Sequence, residues 1–309
     1  MLRILREKRG AAAVLVALSL TALMGVAALA VDVGMLYHTK VKLTNLVDAA
    51  VLAGARQLPE SASQAMAAAD QFANLNGRQD QDSWSRTVMR TAVNNDTITA
   101  TVIRKGDMFF AKALGIKEAG VKATATAQVW PVAAVTGVVP FGVVWTNFEY
   151  GNTYMLKTGA GDGYNGNFGA LALGGTGSNT YRDNIKYGYS GKLEISEYQP
   201  LIIETEPGNM SGPTTDGVDY RVNQDLYATF ETVAPTSPRI VTVPIIESLD
   251  ANGRGEVRII GFASFFLEGV GGSGIDNYVQ GRFMRLVHPT ATGGNQAGNY
   301  GLHVVRLIQ

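Results

Sequence analysis

The chain has no cysteine. Disulfides, thiolate metal sites and cysteine nucleophiles are excluded together. Histidine is almost as scarce, with only His38, His288 and His303 in 309 residues. None of the three sits in a zinc-ligand spacing such as H-E-x-x-H, so a histidine-based hydrolase or zinc enzyme has little support. An excess of charge is missing too: Lys plus Arg and Asp plus Glu both number 26. A neutral chain carries no electrostatic footprint for nucleic acid. Structure without disulfides must be held by core packing or by ions. At this length there is room for one or two domains with real cores beyond any anchor.

Charge is also absent, locally, where it matters most. Ala11 to Val31 is a run of 21 residues without one ionisable side chain, broken only by Ser19, Thr21 and Gly25. At ~1.5 Å rise per residue such a helix reaches ~30 Å, the thickness of a bilayer's hydrocarbon core. Arg3, Arg6, Lys8 and Arg9 precede it against a single Glu7, and Asp32 closes it. The positive-inside bias keeps the N-terminal flank in the cytoplasm and sends everything after Asp32 outside. A cleaved secretory signal is the alternative, but the run exceeds the ~7–15 residues of a signal core. The reading is a single-pass transmembrane helix over 11–31.

Helical periodicity continues past Asp32 to about Leu58, with Leu36, Leu43, Leu46, Val47 and Ala50 on one face. Ala49, Ala50, Ala53, Gly54 and Ala55 offer a smooth surface for close packing. That surface serves either the protein's own outer domain or a neighbouring subunit. Pro59 ends the helix, and Ser61 or Ser63 can cap a second one over Gln64 to Asn76. Trp84 to Val93 is strand-like, and Asn94-Asn95-Asp96 signals a hairpin turn. Ile98, Ala100 and Val102 alternate with threonines as a half-buried strand. Asp107 can cap a short helix to Leu114, ended by Gly115. Val121 to Val129 alternates again and is the clearest strand. Residues 59–131 thus form a small α+β module, and 132–139 an apolar linker.

Composition then shifts. Of the 36 glycines 27 follow Val139, as do eight of the ten prolines, and helical periodicity fades. Nine strand candidates follow: Phe141–Trp145, Thr153–Lys157, Gly169–Leu173, Lys192–Ile195, Gln199–Glu204, Arg239–Glu247, Glu256–Phe266, Asn277–Leu286 and Gly301–Ile308. Gly, Asn, Asp and Pro punctuate them, which argues a mainly β domain over 140–309, sandwich or barrel-like. The fold class expected for the chain is α+β.

Motifs with chemistry are few. Gly161-Asp162-Gly163-Tyr164-Asn165-Gly166 satisfies G-x-G-x-x-G literally, but no helix follows to hold a pyrophosphate, so it reads as a loop. Ser190 is not in a nucleophile elbow. Glu204 to Gly217, with Asp219 and Arg221 behind it, is read as a shaped loop, since prolines fix φ and glycines permit tight bends. Glu204, Glu206, Asp216 and Asp219 are the calcium candidates, hard oxygen ligands without a dedicated loop spacing. The blander reading makes them solvated carboxylates or partners of Arg182, Arg221 and Arg239. No catalytic residue and no cofactor are assigned.

The first 60 residues also carry a resemblance. A basic flank and Arg9-Gly10 lead into the apolar span; then come Val31-Asp32-Val33-Gly34, Tyr37 and the small-residue run Asp48 to Ala55. In order and spacing this resembles the N-terminal module of the TadE/TadG-like Flp pilus-assembly proteins, most of all the TadG-type branch. Gly106 to Gly115 and the strand Val121 to Ala127 are similar to a phenylalanine-containing turn and following strand of those proteins. The glycine-rich remainder resembles an outer region of some TadG-related chains. The resemblance implies a pilin-like module and a structural component or assembly factor of an Flp/Tad-type pilus. It also implies the lipid bilayer and other Tad or pilin-like proteins as partners, with self-association open. A membrane-tethered envelope enzyme using the 204–221 loop, and a surface adhesin using the β domain, are the alternatives. Pilins are cut after a glycine, here Gly10, and carry glutamate at the fifth mature position, where this chain has Leu15. The expectation is therefore that residues 1–10 are kept and the chain stays in the membrane.

Overall fold

The computed structural model describes residues 8–91, 96–157, 168–208, 210–249 and 254–308. The chain divides into two compact units, one of residues 1–128 with 306–309, the other of residues 129–305.

In the first unit, α1 (Lys8–Ala55) is a single 48-residue helix. It ends three residues short of Leu58, in turns running up to Ser61. Its N-terminal part is bare, whereas Leu43, Leu46, Val47, Ala50 and Val51 are buried. Helix α2 (Ala62–Leu75) packs against that second part through Ala65, Ala69 and Ala73. Ser61 is its N-cap, its hydroxyl accepting the Gln64 N–H at 3.2 Å. Strands β1 (Ser83–Met89), β2 (Thr97–Asp107) and β3 (Glu118–Val135) form an antiparallel meander, with Ser83 opposite Ile103 and Thr97 opposite Gln128. The alternation works as the pattern requires. Ile98, Ala100 and Val102 are buried, while Thr99 and Thr101 pair across the strands with Thr126 and Thr124, hydroxyls 2.9 Å apart. Asn94 and Asn95 lie outside the described residues.

Strand β3 continues into the second unit as far as Val135, with Val132 to Val135 buried. The stretch 132–139, expected as a linker, is thus mostly strand and core: unbroken β-branched and alanine residues suit a strand covered on both faces. Two sheets build this unit. One has the order β5 (Thr153–Lys157), β11 (Tyr278–Met284), β10 (Glu256–Gly271), β9 (Ile240–Ile246), β4 (Phe141–Val144), β6 (Phe168–Ala170), with β8 (Leu201–Glu204) also on β10. The other joins β3 to β14 (Leu302–Ile308) and β12 (Leu286–Val287), with β7 (Leu193–Glu194) and β13 (Thr292–Gly293) also on β3. Their shared core includes Val132, Val135, Leu171, Leu193, Ile246, Ile259 and Phe262.

The sheet that contains β10 has a second apolar face, built from Phe141, Val143, Val241, Val243, Ile245, Phe265 and Phe283. Two helices supply Tyr181, Ile185 and Val218 to it: α3 (Ser178–Tyr187) and α4 (Ser211–Val222). The loss of helical periodicity after Val139 therefore does not mean loss of helices. Strand β10 alternates between both faces, and its register slips between Ile259 and Gly261. The odd-numbered Val257 and Ile259 face one core before the slip; Ala263, Phe265 and Leu267 face the other after it. One extra residue exchanges the faces of everything that follows.

Candidate functional site

Helix α1 holds the feature that most invites a functional reading. From Ala12 to Val31 every side chain is exposed except the half-buried Ala28. Leu15, Leu18, Leu23, Met24 and Val26 are each more than 60% exposed. The helix is long and apolar enough to cross a membrane. The flanking Arg3 and Arg6 lie outside the described residues.

At the end of this apolar run stands Asp32, only 2% exposed. Its carboxylate accepts the backbone N–H of Phe109 at 2.7 Å, of Phe110 at 3.1 and 3.2 Å, and of Ala111 at 2.7 Å. These are the free N–H groups at the start of the 3₁₀ turn Ala111–Leu114. An anionic acceptor at such a terminus makes short, charge-assisted bonds. Asp107, the expected cap, instead ends β2 and stands 3.4 Å from Lys112 Nζ. The turn is capped by a residue of another element, and this ties the β2–β3 connection to α1. Gly115 closes the turn at φ 87°, in the left-handed region that favours glycine.

The small-residue run is settled for part of its length. Ala50, Ala53 and Ala55 are buried within the first unit. A Cβ on Gly54 would lie 2.7 Å from the Ala65 carbonyl oxygen and 2.7 Å from Ile98 Cδ1. Glycine is required there because α1 and α2 touch backbone to backbone. Ala49, Leu52 and Ala53 of α1 and Arg56 in the turn after it, with Ala68, Gln71 and Phe72 of α2, line a shallow open groove beside that crossing.

The four calcium candidates are not brought together. Among the described residues no three acidic or histidine side chains converge as a metal site. Glu204 is exposed on β8, 4.0 Å from Arg254 Nη1. Glu206 is buried, one oxygen accepting the Gly177 N–H at 2.8 Å ahead of α3. Asp216 and Asp219 are exposed on α4. The expected loop is a helix from Ser211 onward, with Gly212 and Pro213 in its first turn, where the missing proline N–H costs nothing. Nor do the expected arginines serve these acids. Arg221 is buried and donates to the carbonyls of Ile185 and Pro238, the latter at 2.7 Å, and burial pulls its guanidinium down to about 10. Arg239 donates to the carbonyls of Leu267, Asp225 and Ala228 and lies over the Phe266 ring. Arg182 reaches Asp183 at 3.4 Å. The G-x-G-x-x-G stretch lies outside the described residues. His303 is structural: its Nε2–H donates to Asn299 Oδ1 at 2.7 Å, and burial with Arg285 nearby lowers its pKa to about 4.

Residues 10–57 match the family model for putative Flp pilus-assembly TadE/G-like proteins. The match begins inside α1 and ends two residues past it, coinciding with the segment that carries the resemblance seen in the sequence. No curated protein and no solved structure matches the chain.

Proposed function

We propose, taking the TadE/G-like match of 10–57 as premise, that this protein is a membrane-anchored structural component or assembly factor of an Flp/Tad-type pilus. The observation that carries the reading is that the matched helix is bare over its apolar first part and packed on its own module over its second. A helix of that kind needs lipid around one part and none around the other. The basic residues Arg3, Arg6, Lys8 and Arg9 orient it with the N-terminal flank in the cytoplasm and everything after Asp32 outside. The role is structural rather than catalytic. An enzyme reading would rest on 204–221, whose carboxylates are separated between β8, α4 and the approach to α3.

The chain stays in the bilayer instead of forming the bulk of a filament. Leu15, which stands where pilins carry glutamate, is 65% exposed on an uncharged helix face. Nothing charged in the span penalises permanent residence in lipid.

Protease added to spheroplasts should digest the region after Asp32 while the protein's N-terminal flank stays protected. Sequencing of the membrane-extracted protein should find residues 1–10 still attached. Protection of the whole chain until lysis overturns the orientation. A start at Ala11, with the chain abundant in sheared pili, overturns the resident-anchor reading.

A further inference from the structure

Within the first unit the β2–β3 hairpin runs down α1 toward its apolar end. Ile98 Cδ1 lies at Gly54 near the top, and Gly106 lies at Leu36 Cδ2 below. The ~18 helical residues between Gly54 and Leu36 rise ~27 Å, and the ~8 strand residues from Ile98 to Gly106 cover ~26 Å. The two elements therefore descend side by side, in step. Just past the end of β2, three residues further along the chain and four further down the helix, the Phe109, Phe110 and Ala111 amides bond Asp32. The next residue of α1 is Val31, the last of the uncharged run. The hairpin tip is thus held at the level where the spanning segment ends.

What the tip exposes fits that level. Phe109 is 69% exposed, and Ile116 (53%) and Phe110 (44%) are bare enough to need a partner. The two phenylalanine rings meet edge to face at 5.2 Å, so they form one apolar knob. Lys105 and Lys112 stand around it, exposed, with Asp107 and Glu118 as their neighbours. Beside the knob α1 exposes Val31, Val33 and Met35, and above them Tyr37 at 70%. Apolar rings ringed by lysine and backed by an interfacial tyrosine match the composition of the zone between hydrocarbon and water. A headgroup layer is ~5–7 Å deep on each side, so a tip tied to the first residue beyond the hydrocarbon lies inside it.

We propose that the Phe109–Phe110 tip is a second membrane contact, inserted in the outer headgroup layer beside α1, with the lipid interface as its occupant. This rests on the anchor reading above. Its consequence is mechanical: two contacts, joined by Asp32, hold the first unit upright against the membrane where one helix alone leaves it free to tilt.

The cysteine-free chain suits a probe experiment. Phe109→Cys, Ile116→Cys, Leu20→Cys and Met89→Cys variants of the full chain are labelled with an environment-sensitive fluorophore. Each is then reconstituted in vesicles of phosphatidylethanolamine and phosphatidylglycerol. Leu20 lies mid-span, and Met89 sits opposite Thr97, at the end of the hairpin far from the tip. Expected are a blue-shifted emission for the Phe109 and Ile116 probes relative to the Met89 probe, and quenching by shallow nitroxide lipids several times that at Met89. The Leu20 probe should respond to deep nitroxides. Phe109 and Ile116 probes that behave like Met89, with Leu20 in hydrocarbon, overturn the second contact and leave the anchor standing. A Leu20 probe in water overturns the anchor and this inference with it.

Discussion

Replacing Gly54 by alanine sets two effects of similar size against each other on a single helix. In an open helical position the change is favourable, by about 0.8–1.0 kcal/mol, because alanine loses less backbone entropy. At Gly54 the new methyl would lie 2.7 Å from the Ala65 carbonyl oxygen, 2.7 Å from Ile98 Cδ1 and 3.4 Å from Ala69 Cβ. The 3.4 Å approach is ordinary contact, whereas neither 2.7 Å approach can stand, so two of the three neighbours must yield. Ile98 Cδ1 is the end of a side chain and can rotate, though it is fully buried. The Ala65 carbonyl is backbone and moves only if α2 moves. Overpacking of this kind costs about 1–3 kcal/mol, which outweighs the propensity gain. Gly54→Ala is therefore expected to destabilise the first unit by about 1 kcal/mol net, and Gly54→Val by more, since β-branching adds bulk without the alanine propensity.

Gly34 supplies the internal control. It lies on the same helix with nothing within 4 Å of an added methyl. Gly34→Ala is expected to be neutral or stabilising, by up to about 1 kcal/mol. Hydrogen exchange of the full chain in detergent micelles reads both. A loss of about 1.4 kcal/mol raises exchange about tenfold in amides that open with the whole unit. Peptides from β2 and α2 should exchange faster in Gly54→Ala and no faster in Gly34→Ala. Equal behaviour of the two variants would refute the close crossing.

Asp32→Ala should speed amide exchange in 108–114 with little change in β11, and Asp32→Asn, which keeps one acceptor oxygen, should do so less; unchanged protection in both would remove the capping role. Because burial holds His303 near 4 while an unfolded chain titrates near 6.5, the second unit should keep its full stability above pH 6.5 and lose about 3 kcal/mol as pH falls to 4. His303→Gln should flatten that slope in the protection of β14, and an unaltered slope would place its cause elsewhere. Chelators should leave the thermal unfolding of the full chain unmoved, because Glu204, Glu206, Asp216 and Asp219 do not converge; a fall of many degrees would restore a metal site.

The sequence was most legible where one pattern had one cause. The alternation in β2 and β3 reports burial on one face only, and the nine strand candidates after Val139 fall on observed strands to within a few residues. Helices α3 and α4 escaped because each buries so little. Tyr181 and Ile185 are the whole apolar stripe of α3, and α4 opens with Ser211-Gly212-Pro213, which reads as a turn by propensity. Both are held by tertiary packing on a sheet face, and packing overrides propensity in short helices. The apolar run 132–139 misled for the opposite reason: without alternation, a strand buried on both faces looks like a linker.

Asp32 was hidden by distance. Capping is usually sought within a few residues, as Ser61 caps through Gln64, whereas the amides that Asp32 serves lie 77 to 79 residues away. Yet the chain does carry a signal. Asp32 is the only carboxylate between Glu7 and Asp48, and it stands at the end of a span where an unpartnered acid is costly. A side chain placed against such a cost implies donors to offset it. The Phe-rich turn has three amides, at 109–111, that no strand or helix of its own supplies with acceptors, since Asp107, the local candidate, ends β2 beside Lys112. An acid without local donors and donors without local acceptors, each isolated in its own stretch, are two halves of one contact. Joining them brings the hairpin tip to the base of the spanning segment, and that pairing needs only the residues at 32 and 109–111.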